Sequence, residues 1–124
     1  MQADGSQARQ RVAIVEDEVL IAMLLEDILD TLGFEVVGPA TTLQEADALL
    51  APGNAVDMAI LDVNLGSDPV YPVADRLIAA GVEVIFATGS HRSVLPDRFA
   101  GCKVLEKPYA FNAVERAVSA LTKV

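Results

Sequence analysis

The chain has 124 residues, with nine Lys and Arg against 18 Asp and Glu, a formal charge of −9. That balance repels a phosphate backbone and an anionic membrane surface alike, which excludes nucleic acid and membrane as partners. At this length one domain is expected, burying about two thirds of the surface of its unfolded form, and no stretch approaches the roughly 18 uninterrupted apolar residues of a membrane span.

Cys102 is the sole cysteine. It excludes an internal disulfide and a thiolate metal cluster, and a small buried hydrophobe is its expected role. The N-terminus lacks the apolar core of a signal peptide, which points to the cytoplasm.

Residues 1 to 10 show no periodicity and read as a flexible leader, with the folded domain spanning 11 to 124. Val12-Ala13-Ile14-Val15 is an apolar run that predicts a buried strand, ending in Glu16-Asp17-Glu18. Leu20, Leu24, Ile28 and Leu32 recur at helical spacing, so Glu18 to Leu32 is expected to be a helix with one wide apolar face, closed by Gly33. Glu35 to Gly38 predicts a second strand, stopped by Pro39. The spacing of Thr42 and Glu45 is that of a capping box and opens a helix carrying Leu43, Ala46, Leu49 and Leu50 inward, ended by Pro52-Gly53.

Met58 to Leu61 predicts a central strand buried on both faces, with Asp62 as the first polar group at its carboxyl end and the Gly66 loop beyond. A helix is expected from about Val70 to Ala80, Pro72 lying in its first turn and Gly81 ending it. Val82 to Ala87 predicts a further strand, delivering Thr88-Gly89-Ser90. His91 to Gly101 is poorly patterned and interrupted by Pro96, consistent with at most a short irregular helix. Lys103 to Glu106 predicts a last strand running into Lys107-Pro108, and Phe111 to Leu121 a last helix burying Val114, Ala117, Val118 and Leu121.

Strands alternating with helices through short loops define an α/β fold: a doubly wound, five-stranded parallel sheet of flavodoxin-like order 2-1-3-4-5. Ligands bind such sheets at the carboxyl edge. That edge would gather Glu16 and Asp17, Asp62, Thr88 and Lys107.

Three carboxylates crowded together raise one another's pKa unless a cation intervenes. Oxygen-only donors of high negative charge suit a hard divalent ion, and Mg²⁺ takes few carboxylates, completing its octahedron with water and a phosphate oxygen. A phosphoryl group on Asp62 would offer three oxygens, one for the metal, one for the Lys107 ammonium and one for the Thr88 hydroxyl. Carboxylate capture of phosphate is nucleophilic catalysis that needs mainly positioning and charge neutralisation.

Val15-Glu16-Asp17-Glu18, Leu61-Asp62, Ala87-Thr88-Gly89 and Lys107-Pro108, in this order and on these elements, resemble the receiver domain of bacterial two-component response regulators, over about residues 11 to 124. The resemblance implies that Asp62 accepts a phosphoryl group from a histidine kinase. It implies further that Asp17, Asp62 and the backbone carbonyl of Asn64 ligate Mg²⁺, with Glu16 acting largely through water, and that Thr88 and Lys107 contact the phosphate. It also implies a cis peptide before Pro108. Such a domain is a phosphoacceptor that switches partner binding, not an enzyme acting on others.

Phe86-Ala87-Thr88-Gly89 further resembles the subgroup named for its Phe-Ala-Thr-Gly motif, often partnered by kinases of the HWE class. Most receivers place an aromatic three residues before the lysine. Here Val104 stands there, so the signal would travel through the Thr88 to Gly101 segment, and Ser90 replaces a common aromatic of the subgroup. His91 is expected to be solvated, and Tyr109 and Phe111 to anchor the last helix.

Rival readings meet the same residues. An aspartyl phosphatase would carry an acid two positions after its nucleophile, where this chain has Asn64. A nucleotide binder would need a Gly-rich or hydroxyl-rich loop after the first strand, where this chain has three acids. A degenerate receiver, binding partners without phosphorylation, is the remaining alternative.

Overall fold

A computed structural model describes residues 9–49, 55–65, 68–89 and 95–122. Leu50, Pro52, Gly53, Gly66, Ser90, His91, the Leu121 side chain and most of the N-terminal leader lie outside the described residues. Five parallel strands form one sheet, β1 (Arg11–Val15), β2 (Glu35–Ala40), β3 (Met58–Asp62), β6 (Glu83–Thr88) and β7 (Lys103–Glu106), in the order β2-β1-β3-β6-β7. Counted among themselves these strands run 2-1-3-4-5, the expected arrangement.

Two short strands were not anticipated: β4 (Asn64–Leu65) and β5 (Asp68–Pro69) make an antiparallel ribbon at the carboxyl edge. A two-residue ladder leaves no periodicity for a sequence to display.

The alternation of side chains along the strands builds two cores. Val12, Ile14, Met58, Ile60 and Ile85 face α1 (Val19–Thr31) and α4 (Phe111–Thr122). Ala13, Val15, Ala59, Leu61, Val84 and Phe86 face α3 (Tyr71–Ala79) and, through Ala46, α2 (Leu43–Ala48). All five residues of β3 are buried, and each large side chain there contributes about 2 kcal/mol by leaving water. The central strand is thereby fixed, and Asp62 with it.

Helix α1 departs from the expected phase. It buries Ala22, Leu25, Ile28 and Leu29, while Leu20 is 80% and Leu24 42% exposed. The first half of the helix, Val-Leu-Ile-Ala-Met-Leu-Leu, is apolar all round, so spacing alone cannot choose its buried stripe. The sheet takes the one that puts the small Ala22 against it.

Strand β2 does not stop at Pro39 but continues to Ala40. As an outer strand it can carry a residue without an N–H. Gly38 adopts φ +102, and a Cβ there would lie 3.0 Å from the Ile14 carbonyl oxygen. The β1–β2 register shifts at this point, between Ala13 and Val15, and the Glu16 amide then donates to the Ala40 carbonyl at 2.9 Å.

Thr42 caps α2, its hydroxyl accepting from the Glu45 amide at 3.0 Å. The Glu45 carboxylate reaches back to the Thr41 amide rather than to that of Thr42. Helix α3 starts at Tyr71, with Val70 as its cap and Pro72 in the first turn. Between β6 and β7 the described residues form only a 3₁₀ turn, Asp97–Phe99, as the poor patterning suggests. Phe99 wedges its ring beside Phe86 and Tyr71, with centroids 5.0 and 5.5 Å away. Cys102 is half-buried against this core. Tyr109 is buried as expected, whereas Phe111 is 41% exposed and does not anchor α4. No described helix is long and apolar enough to cross a membrane.

Candidate functional site

The strand ends deliver the chemistry. Val15 and Leu61 are paired neighbours, and Asp62 pairs with Ala87, so Glu16, Asp62 and Thr88 follow the apolar runs onto one edge. Lys107 joins them because its amide donates to the Thr88 carbonyl at 2.8 Å, extending the β6–β7 pairing by one step. The Lys107–Pro108 peptide is cis, matching the expectation.

One oxygen from each of Glu16, Asp17 and Asp62 falls within 4.8 Å of the others, an arrangement able to hold a cation. Glu16 is essentially fully buried and Asp62 nearly so, while Asp17 is more open. The Lys107 ammonium lies 3.2 Å from Glu16 Oε1 and 3.2 Å from Asp62 Oδ2, and Glu18 Oε1 stands 3.7 Å away. Asn64 follows in β4, its amide 3.4 Å from Asp62 Oδ1. Thr88 Oγ1 is buried and has no hydrogen-bond partner among the described residues. A buried hydroxyl whose hydrogen bond is not made costs about 1 to 3 kcal/mol, and this one is free to donate to a ligand oxygen.

Electrostatics mark the same spot. Burial, reinforced by the charge of Asp62, pushes the Glu16 carboxyl up to about 7, despite the Glu18 amide and Lys107 that favour its ionised form. Burial alone would lower the Lys107 pKa, but the charges of Asp62 and Glu16 outweigh it and hold the ammonium above its usual value. Tyr109 is raised by burial and by the same two acids. One lysine therefore does not satisfy the site, and a hard divalent cation fits the oxygen donors left around it.

The structure places Glu16, Asp17, Asp62 and Lys107 together, Asn64 next to Asp62, and Thr88 at the end of the neighbouring strand. Glu18 is the residue whose position was missed. It reads as the acidic first turn of a helix, and nothing in its spacing tells that it faces Lys107.

Fold and edge together define an open α/β domain with an acidic pocket at the carboxyl ends of its strands. No protein-family model matches the chain. The solution structure of SdrG from Sphingomonas melonis Fr1 is 42% identical, with TM-score 0.81 over 94% of this chain and 98% of that one. The BeF3-activated conformation of SdrG aligns with TM-score 0.77 at the same 42% identity, over 93% and 98% of the two chains. Chemotaxis protein CheY of Thermotoga maritima is 32% identical over 119 aligned positions, 92% of this chain and 98% of CheY. Transcriptional regulatory protein PdtaR of Mycobacterium tuberculosis is 36% identical over 98% of this chain. The chain spans 62% of the length of PdtaR. The chain belongs to the receiver domains of two-component response regulators.

Proposed function

We propose that residues 11 to 124 form a phosphoacceptor receiver in which Asp62 takes a phosphoryl group from a histidine kinase in a Mg²⁺-dependent reaction. One observation carries the reading: three carboxylates, an ammonium and an unpartnered buried hydroxyl converge where the sheet ends. In this reading Asp17, Asp62 and the Asn64 carbonyl would hold Mg²⁺, with Glu16 acting through water. Bound there, the ion would neutralise charge on the phosphoryl oxygens.

The chain's own residues do the rest. An Asp62 carboxylate oxygen attacks phosphorus in line while the P–N bond to the kinase histidine breaks, the imidazole leaving with the electron pair. The Lys107 ammonium, already beside that carboxylate, turns to the new phosphoryl group, and Thr88 donates its hydroxyl to another oxygen. The existence of a BeF3-activated form of SdrG supports the reading, since that group mimics phosphate on an aspartate. Phe86-Ala87-Thr88-Gly89 supports placement in the Phe-Ala-Thr-Gly subgroup, and with it a kinase of the HWE class as donor.

The response is a population shift in which residues 95 to 101, β7 and α4 exchange between two packings, changing which protein binds. Val104 is paired with Phe86 and brings no ring to β7, so the aromatic bulk lies in Phe86, Phe99 and Tyr71 instead.

Incubation with acetyl phosphate and Mg²⁺, followed by intact mass, tests the reading. A gain of one phosphoryl group is expected. No gain would favour the degenerate receiver. Amide shifts on adding beryllofluoride should include residues 95 to 101, and silence there would remove the proposed route.

A further inference from the structure

We infer that Glu18 sets the selectivity of the site among phosphodonors, through the negative charge it places beside the Lys107 ammonium at the mouth of the pocket. The inference rests on the phosphoacceptor reading above.

Glu18 holds the N-cap position of α1 with extended backbone (φ −91, ψ 110), yet its side chain makes no capping hydrogen bond. Its own amide is engaged by Glu16 Oε2 at 3.1 Å. The carboxylate instead stands 3.7 Å from Lys107 Nζ, its side chain 63% exposed where that of Lys107 is 11% exposed. An ammonium has three donor directions. Glu16 and Asp62 are at hydrogen-bond distance and buried; Glu18 is farther and solvated, so it is the partner that yields when Lys107 turns to a phosphoryl group.

The arrangement has a consequence for the incoming donor. Asp62 attacks phosphorus and, with acetyl phosphate, the P–O bond to the acetyl group breaks, acetate leaving with the electron pair and needing no proton. With phosphoramidate the P–N bond breaks and ammonia leaves, using protons already on nitrogen. Acetyl phosphate arrives near neutral pH as almost a dianion, whereas phosphoramidate carries about one charge fewer. A fixed negative charge at the mouth slows the first more than the second, by about threefold for one extra charge across a few ångströms of water-like surroundings.

The test compares the wild type, Glu18→Gln and Asp62→Asn under saturating Mg²⁺, following mass gain from each donor. Glu18→Gln should raise the acetyl phosphate rate about threefold relative to the phosphoramidate rate. High salt should shrink that ratio toward one, because an exposed charge is screened. Equal changes with both donors, or a ratio that falls, would overturn the inference and leave Glu18 with only a helix-terminal role. Failure of the underlying reading looks different. The wild type would then gain no phosphoryl group from either donor, or Asp62→Asn would still gain one, and the inference would fall with it.

Discussion

Lys107 Nζ lies 3.2 Å from Asp62 Oδ2 and equally close to Glu16 Oε1, so one ammonium is divided between two buried acids. Removing one partner of a buried pair costs more than the pair contributes, because the remaining charge stays desolvated. Lys107→Met should destabilise the metal-free protein at neutral pH by about 3 kcal/mol in urea unfolding. At pH 5 the loss should be smaller, since Glu16 can take up a proton there. An equal loss at both pH values would mean that the acids do not depend on this lysine.

The Glu16 carboxyl gives stability a pH slope of unusual sign. Its native pKa of about 7 exceeds the ordinary value of 4.5, so between these the native state holds a proton that the unfolded state has released. Metal-free stability should therefore fall as pH rises from about 4.5 to 7, by at most ~3 kcal/mol, and this contribution should level off above that. Saturating Mg²⁺ favours the ionised carboxylate and should flatten the slope, as should Glu16→Gln. Thermal melts across this range check the sign; stability rising through the window, unchanged by Glu16→Gln, would contradict it.

Thr88 makes a separable prediction. Because its buried hydroxyl has no partner among the described residues, Thr88→Val should leave stability unchanged or raise it by up to ~1 kcal/mol. The same change should weaken beryllofluoride binding about tenfold, the loss of one good hydrogen bond to a charged ligand. A variant that is destabilised yet binds the mimic normally would assign the hydroxyl to structure rather than to phosphate.

Most of the site was legible because it hangs on strand ends, and buried parallel strands announce themselves as apolar runs. Once Val12 to Val15 and Met58 to Leu61 are strands, Glu16 and Asp62 must share an edge. The buried face of α1 was not legible, since Val19 to Leu25 is apolar on every side and only the sheet selects Ala22 and Leu25. Pro39 misled for a different reason: it ends a strand only where its missing N–H is needed, and β2 lies at the edge of the sheet. Glu18 stayed hidden because helix-terminal acids are common and its contact with Lys107 spans the length of the domain. Val104 was informative by its chemistry alone, and the structure adds where the aromatic mass sits instead, around Phe99.

Phosphotransfer from a phosphohistidine donor to wild type and Asp62→Asn, side by side with Mg²⁺ and with a chelator, tests the central claim most directly. Transfer to the wild type only in the presence of Mg²⁺, and none to Asp62→Asn, is the expected result. Undiminished labelling of Asp62→Asn, or labelling of the wild type that ignores the chelator, would contradict it.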